Sequence, residues 1–310
     1  MGMAGVGGSL LIKPVRRLSQ LTIDIDKDWQ EYPISNIGVP PSDKDVLARG
    51  LPNIYSCDYG LNWADLGVIT IGAITAMAYL GNGIVVLGDA AQHVFRSTDY
   101  GANWTDLGVI TIDAITAMAY LGNGVAILGT SVGNVWRSTD YGLNWADLGV
   151  HASDSIYAMA YLGNGIAILG DDNGHVFRSI DYGLNWADLG EIAFLSVYSM
   201  AYLGNGIAIM GDFNGVIQRS IDYGATWTIV GFGIGGPIYA MSYLGNGIAV
   251  LGDDNGYIWR SIDYGATWAN LGVISPKVTR MTYLGNGTTI LGDRLAGICR
   301  STSAFQLWRR

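Results

Sequence analysis

An all-β fold, a β-propeller of four-stranded antiparallel blades, is what this 310-residue sequence predicts. Three observations carry the prediction. A unit of 41 residues recurs along most of the chain. Each unit divides into four short apolar runs separated by turn residues. The first run of each unit is apolar on both of its alternating faces.

The repeat is read directly. Tyr-Leu-Gly-Asn-Gly begins at Tyr79, Tyr120, Tyr161, Tyr202, Tyr243 and Tyr283. Ser-x-Asp-Tyr-Gly-x-x-Trp begins at Ser56, Ser97, Ser138, Ser179, Ser220 and Ser261, and a decayed copy starting at Ser301 keeps only its Ser and Trp308. The step is 41 residues until the last, which is 40. Four strands in forty-odd residues is the period of a propeller blade.

Residues 156–189 show how a unit divides. Strand A is expected over Ile156–Leu162, followed by a hairpin at Gly163-Asn164-Gly165, where Asn-Gly supplies the positive φ of a tight turn. Strand B is Ile166–Leu169, and Asp171-Asp172-Asn173-Gly174 is a second turn. Strand C is His175–Ser179, and strand D lies around Trp186–Leu189. Strand A, Ile-Tyr-Ala-Met-Ala-Tyr-Leu, is apolar on both faces, so both must be covered, as in blades stacked around an axis. Alanines such as Ala76, Ala117 and Ala158 suit an innermost strand where blades converge. An open solenoid needs polar end caps, and none is read after the last copy, so a ring is expected. Six blades are favoured, with Trp63–Leu66 completing the last sheet. Seven is the alternative, with residues 21–50 supplying two divergent strands.

Composition agrees with this class. Hydrophobic residues are 50%, charged residues only 14%, and the 45 glycines point to many tight turns. The acidic residues are Asp apart from Glu31 and Glu191, a turn-forming rather than helix-forming bias. A net charge of −9 argues against a nucleic-acid partner or an anionic membrane surface. No apolar run is long enough for a helical membrane span. At the N-terminus Lys13, Arg16 and Arg17 follow the apolar stretch, the reverse of a secretory signal. Cys57 and Cys299, in the first and last copies, are read either as a ring-closing disulfide or as two buried thiols.

The Ser-x-Asp-x-Gly-x-x-Trp string resembles the Asp box of sialidases, the bacterial neuraminidase repeat, also found in xyloglucan-hydrolase-type, sortilin-type and photosystem-assembly-factor-type propellers. The resemblance covers residues 53–308 and implies a hairpin on the rim, away from any active site. Asp58, Asp99, Asp140, Asp181, Asp222 and Asp263 are expected to bond the backbone of their own turns. Trp63, Trp104, Trp145, Trp186, Trp227 and Trp268 are expected to fold back and bury apolar area.

Sialidase chemistry would also bring an arginine triad, a Tyr–Glu pair and an Asp acid. Here Arg96, Arg137, Arg178, Arg219, Arg260 and Arg300 occupy one repeat position and read as scaffold. Glu191 is the only Glu in the propeller. His93 and His175 are equivalent strand-C positions, and no Ser stands in a nucleophile elbow. The Asp-Asp-Asn-Gly turns at Asp171 and Asp253 lack the spaced ligands of a calcium loop. No catalytic residue, cofactor or metal is therefore expected.

The loops divide into two sets. The A–B turns and Asp boxes hardly vary between copies, whereas the B–C turns and D–A loops differ, and these two sets emerge on opposite faces. The varied face is the expected ligand surface, with His151, Glu191, Phe194, Phe232, Lys277 and Arg294 as candidates.

Residues 32–49, Tyr-Pro-Ile-Ser-Asn-Ile-Gly-Val-Pro-Pro-Ser-Asp-Lys-Asp-Val-Leu-Ala-Arg, resemble a stalk motif of bacteriophage tail fibres, departing from it after Arg49. The resemblance implies an N-terminal arm over residues 1–50 carrying a propeller over residues 51–310, on a virion or cell-surface appendage, with a homotrimer by analogy. The expected function is a non-enzymatic head that binds a host receptor or glycan, or other appendage proteins. The alternatives are a sialidase-like or xyloglucanase-like glycoside hydrolase and an assembly-factor-type interaction propeller.

Overall fold

The computed structural model describes residues 66–231, 234–285, 288–293 and 298–301. The arm and its stalk-like motif, Cys57, Asp58, Trp63, Phe232, Arg294 and the decayed copy after Ser301 lie outside the described residues. Every described regular element is a strand. The strands form six antiparallel sheets, five of four strands and one of three, each laid out in chain order from A outward.

The third sheet stands for the others. Ile156–Gly163 pairs with Ile166–Asp171, which pairs with His175–Ser179, which pairs with Ala187–Glu191. Strand B outruns its sequence assignment by two residues. Gly170 and Asp171 sit opposite Ala158 and Ile156 instead of opening the turn. The cause is Asp171, fully buried, whose Oδ1 accepts from the backbone N–H groups of Asn173 (3.0 Å) and His175 (2.8 Å) and closes the turn from inside. Strand D begins one residue late, because Trp186 is still part of the hairpin, its Nε1 donating to the Gly183 carbonyl at 3.1 Å.

Consecutive sheets meet through their inner strands, Ile74–Gly81, Ile115–Gly122, Ile156–Gly163, Val197–Gly204, Ile238–Gly245 and Val278–Gly285. In Ile115–Gly122 and Ile156–Gly163 alternate residues are buried and half-buried, as two covered faces require. The contact is a knob in a hole. A Cβ on Gly129 of strand B would lie 2.8 Å from Ile156 and from Met159 of the next sheet, so only glycine admits these side chains. Gly88, Gly170, Gly211 and Gly252 repeat the arrangement against Ile115, Val197, Ile238 and Val278. Each buried Ile or Val contributes roughly 1.5–3 kcal/mol relative to exposure. Here one glycine per blade creates the place for it.

The first and last sheets show what such a contact covers. Ile115, Ile156 and Ile238 are 0% exposed, whereas Ile74, with no described sheet before it, is 52% exposed. Gly292 of the last sheet, half-exposed, has no described atom near its Cβ position. The closing strand assigned to Trp63–Leu66 reaches the described residues only at Leu66, which is exposed and belongs to no strand. Cys299 is buried and packed with Ile258, Val278 and Leu291, while its expected disulfide partner, Cys57, lies outside the described residues.

Candidate functional site

The two loop sets separate by their own hydrogen bonds. On one face the hairpin after strand C is tied to the A–B turn, with Tyr182 N donating to the Gly165 carbonyl at 2.8 Å. On the other the B–C turn is tied to the D–A loop, with Asp172 N donating to Ser155 O and Ile192 N to Gly174 O.

The repeated face is consumed by structure. Asp181 Oδ1 accepts from the Ser179 hydroxyl (2.8 Å) and the backbone N–H of Leu184 and Asn185, and Oδ2 accepts from the Asn185 amide (2.7 Å). Burial draws this carboxyl upward but is outweighed by those hydrogen bonds, so it titrates below the ordinary carboxylate value. Asp99, Asp140, Asp222 and Asp263 make matching bonds. The indole of Trp186 packs with Leu121, Ile127 and Ala167, at the boundary with the preceding sheet.

The left-handed residues in this hairpin are both Tyr182 (φ 58°) and Gly183 (φ 74°). The Tyr182 ring lies against Gly165, where a Cβ would sit 2.8 Å from it. The arginines brace neighbouring sheets. Arg96, Arg137, Arg178 and Arg219 each donate Nε to the backbone carbonyl of the next hairpin tyrosine, Tyr141, Tyr182, Tyr223 and Tyr264, at 2.7–2.8 Å. His93 and His175 each face an aspartate of strand D, Asp106 at 3.0 Å and Asp188 at 3.2 Å.

The variable face surrounds the mouth of a cavity of about 660 Å³, lined by all six inner strands. That volume is in the usual range for a small-ligand site. Its walls are uneven. At the second position of strand A, sheets three to five carry Tyr157, Tyr198 and Tyr239, while the others carry Thr75, Thr116 and Thr279. The tyrosines form a continuous row, with ring centroids 5.2 Å apart for Tyr157–Tyr198 and 4.8 Å for Tyr198–Tyr239. Phe213, from a B–C turn, adds a fourth ring 6.0 Å from Tyr198. Burial pushes the Tyr198 phenol above its ordinary value, so it stays a neutral hydroxyl.

Of the candidates named from sequence, Lys277 joins this row. Its Nζ lies 4.4 Å from the Tyr239 ring centroid and pairs with Asp254, whose carboxylate raises the lysine's pKa. Phe194 is on the same face and 57% exposed, but it does not line the cavity. His151 is half-buried, its Nε2 without a hydrogen-bond partner, and Glu191 is exposed at the end of its strand D. Neither lines the cavity. The residues missed from sequence are Tyr157, Tyr198, Tyr239 and Arg280. Their signal was available as differences between copies inside strand A, a strand assigned to packing instead.

No group of three metal-ligating side chains occurs among the described residues. Among the described residues no helix is long and apolar enough to cross a membrane.

No family model and no curated protein sequence matches the chain. Solved structures do. The chain superposes on YCF48 bound to D1 peptide with a TM-score of 0.63 at 17% identity, covering 77% of this chain and 82% of that one. The WD40 β-propeller domain of Doa1 gives 0.62 at 12% identity over 74% and 78%. The computationally designed Ika8 protein gives 0.58 at 20% identity over 73% and 70%. The fold is a β-propeller. The six sheets among the described residues match a propeller of about six blades, the number favoured by the repeat count, and at these identities the likeness establishes the fold alone.

Proposed function

We propose that this propeller is a non-enzymatic binding head, borne on a virion or other surface appendage of the tail-fibre kind, that holds a receptor glycan at the mouth of its central cavity. The observation that carries this reading is the tyrosine row. Three blades of a nearly uniform repeat replace Thr by Tyr on one side of the channel, on the face where the loops also diverge. Aromatic faces stack on the C–H surfaces of sugar rings, and their hydroxyls bond sugar hydroxyls.

The glycosidase alternative has less support. Retaining or inverting hydrolysis uses two carboxyl groups flanking one bond, and no Asp or Glu is among the described cavity-lining residues. The assembly-factor alternative has no observation of its own beyond the fold.

The test is a glycan panel read for both retention and product release. Retention without release, lost in Tyr198→Ala at unchanged folding, supports the reading. Release of sugar from any retained glycan, or a panel with no binder, overturns it.

A further inference from the structure

The described lining of the cavity holds one charge. In a chain of net charge −9, the only charged residue among its described lining is a cation, Arg280. The position is otherwise reserved for small side chains: Ala76, Ala117, Ala158, Ser199 and Ala240 in the other five blades. Arg280 is exposed to the cavity. Its one hydrogen bond among the described residues runs from Nη1 to the Thr279 carbonyl at 2.8 Å, using one of a guanidinium's five N–H donors. Lys277, the other cation nearby, is already neutralised by Asp254.

A guanidinium with donors unused among the described residues, in a cavity whose described walls carry no carboxylate, is a recognition element for a planar oxyanion, because its fork matches two anion oxygens and the low-dielectric walls strengthen the attraction. Resting on the glycan-binding reading, we infer that the ligand is an anionic saccharide, with its sulfate or carboxylate on Arg280 and its ring on Tyr198 and Tyr239. A saccharide fits better than an acidic peptide. The tyrosine row offers flat faces on which sugar rings stack, beside hydroxyls at Thr75, Thr116 and the tyrosines themselves.

The experiment titrates the full chain with three oligosaccharides of equal length, an oligogalacturonate, a sulfated dextran and neutral dextran, together with an oligoglutamate. The expected result is that one anionic sugar binds at least ten-fold more tightly than the neutral one. Raised salt and Arg280→Ala each remove that preference, the variant by about ten- to a hundred-fold in affinity. Arg280→Ala keeps the wild-type melting temperature, since alanine is the residue of four other blades at this position, and a Tyr198→Ala control reports on stacking. The preferred anionic arm tells carboxylate from sulfate. Neutral and anionic sugars binding alike, or an anion preference that survives Arg280→Ala, overturns this inference and leaves the binding-head reading in place. Arg280-dependent binding of oligoglutamate without any sugar overturns it in favour of a peptide ligand. Absence of all binding overturns both.

Discussion

Arg178 of one blade donates Nε–H to the backbone carbonyl of Tyr223 in the next, at 2.7 Å, and Tyr223 itself is held in a left-handed conformation at φ 57°. One side chain thus braces both the blade interface and a strained turn. Arg178→Met is expected to lower stability by about 1–3 kcal/mol, since a charge-assisted bond is lost and an acceptor is left without its donor. Chemical denaturation checks this. A wild-type midpoint would show the brace contributes nothing.

The glycine holes give a paired test. Gly170→Ala places a Cβ 2.6 Å from Val197 Cβ, so a blade must shift, and about 1–3 kcal/mol of destabilisation is expected from overpacking. Gly292→Ala, where no described atom lies within 4 Å, is expected to be close to neutral. Thermal melts of the two variants side by side decide the matter, and equal losses would contradict it.

Gly165 serves the opposite face. It takes φ 78° and lies beneath the Tyr182 ring, so Gly165→Ala suffers backbone strain and a 2.8 Å clash together. A loss of over 1 kcal/mol is expected. Tyr182→Phe, which keeps the ring, is expected to change little. Denaturation midpoints for both variants provide the check.

Two sets of aspartates respond to pH in opposite senses. Asp140, Asp181, Asp222 and Asp263 titrate below the ordinary 3.8, burial being outweighed by their hydrogen bonds. Their stabilisation is complete above 3.8 and is lost as pH falls through the lower folded values. Asp171, Asp212 and Asp253 are raised, burial being the largest cause. Folding therefore favours their protonated forms, and the stability this confers is full below 3.8 and is lost as pH rises through the higher folded values. Asp171→Asn removes the charge and keeps an acceptor oxygen. Relative to wild type it is expected to gain stability between pH 4 and pH 7. Denaturation at both pH values measures this, and a variant that loses ground at pH 7 would refute it. The second blade already has an uncharged solution, Thr130, whose Oγ1 accepts from Asn134 N at 3.2 Å.

Strand order, turn chemistry and the division into two faces were legible because they are local. The Asn-Gly of Asn164-Gly165 has to turn, Asp181 has to find N–H groups within its own hairpin, and a repeat states such rules six times. The same regularity concealed the cavity. Tyr157, Tyr198 and Tyr239 sit in strand A, where a run apolar on both faces looks like core, and His151 and Glu191 stand out only because their loops vary.

The sequence by itself determined the strands, their pairing order and the braced hairpins, since each depends on residues a few positions apart. Which half-buried positions converge on an axis depends on how blades rotate past one another, through contacts between residues some forty positions apart such as Arg178 and Tyr223. Only the tertiary structure decided that three tyrosines form one row, that Lys277 is neutralised, and that Arg280 is the single charge on the described cavity wall.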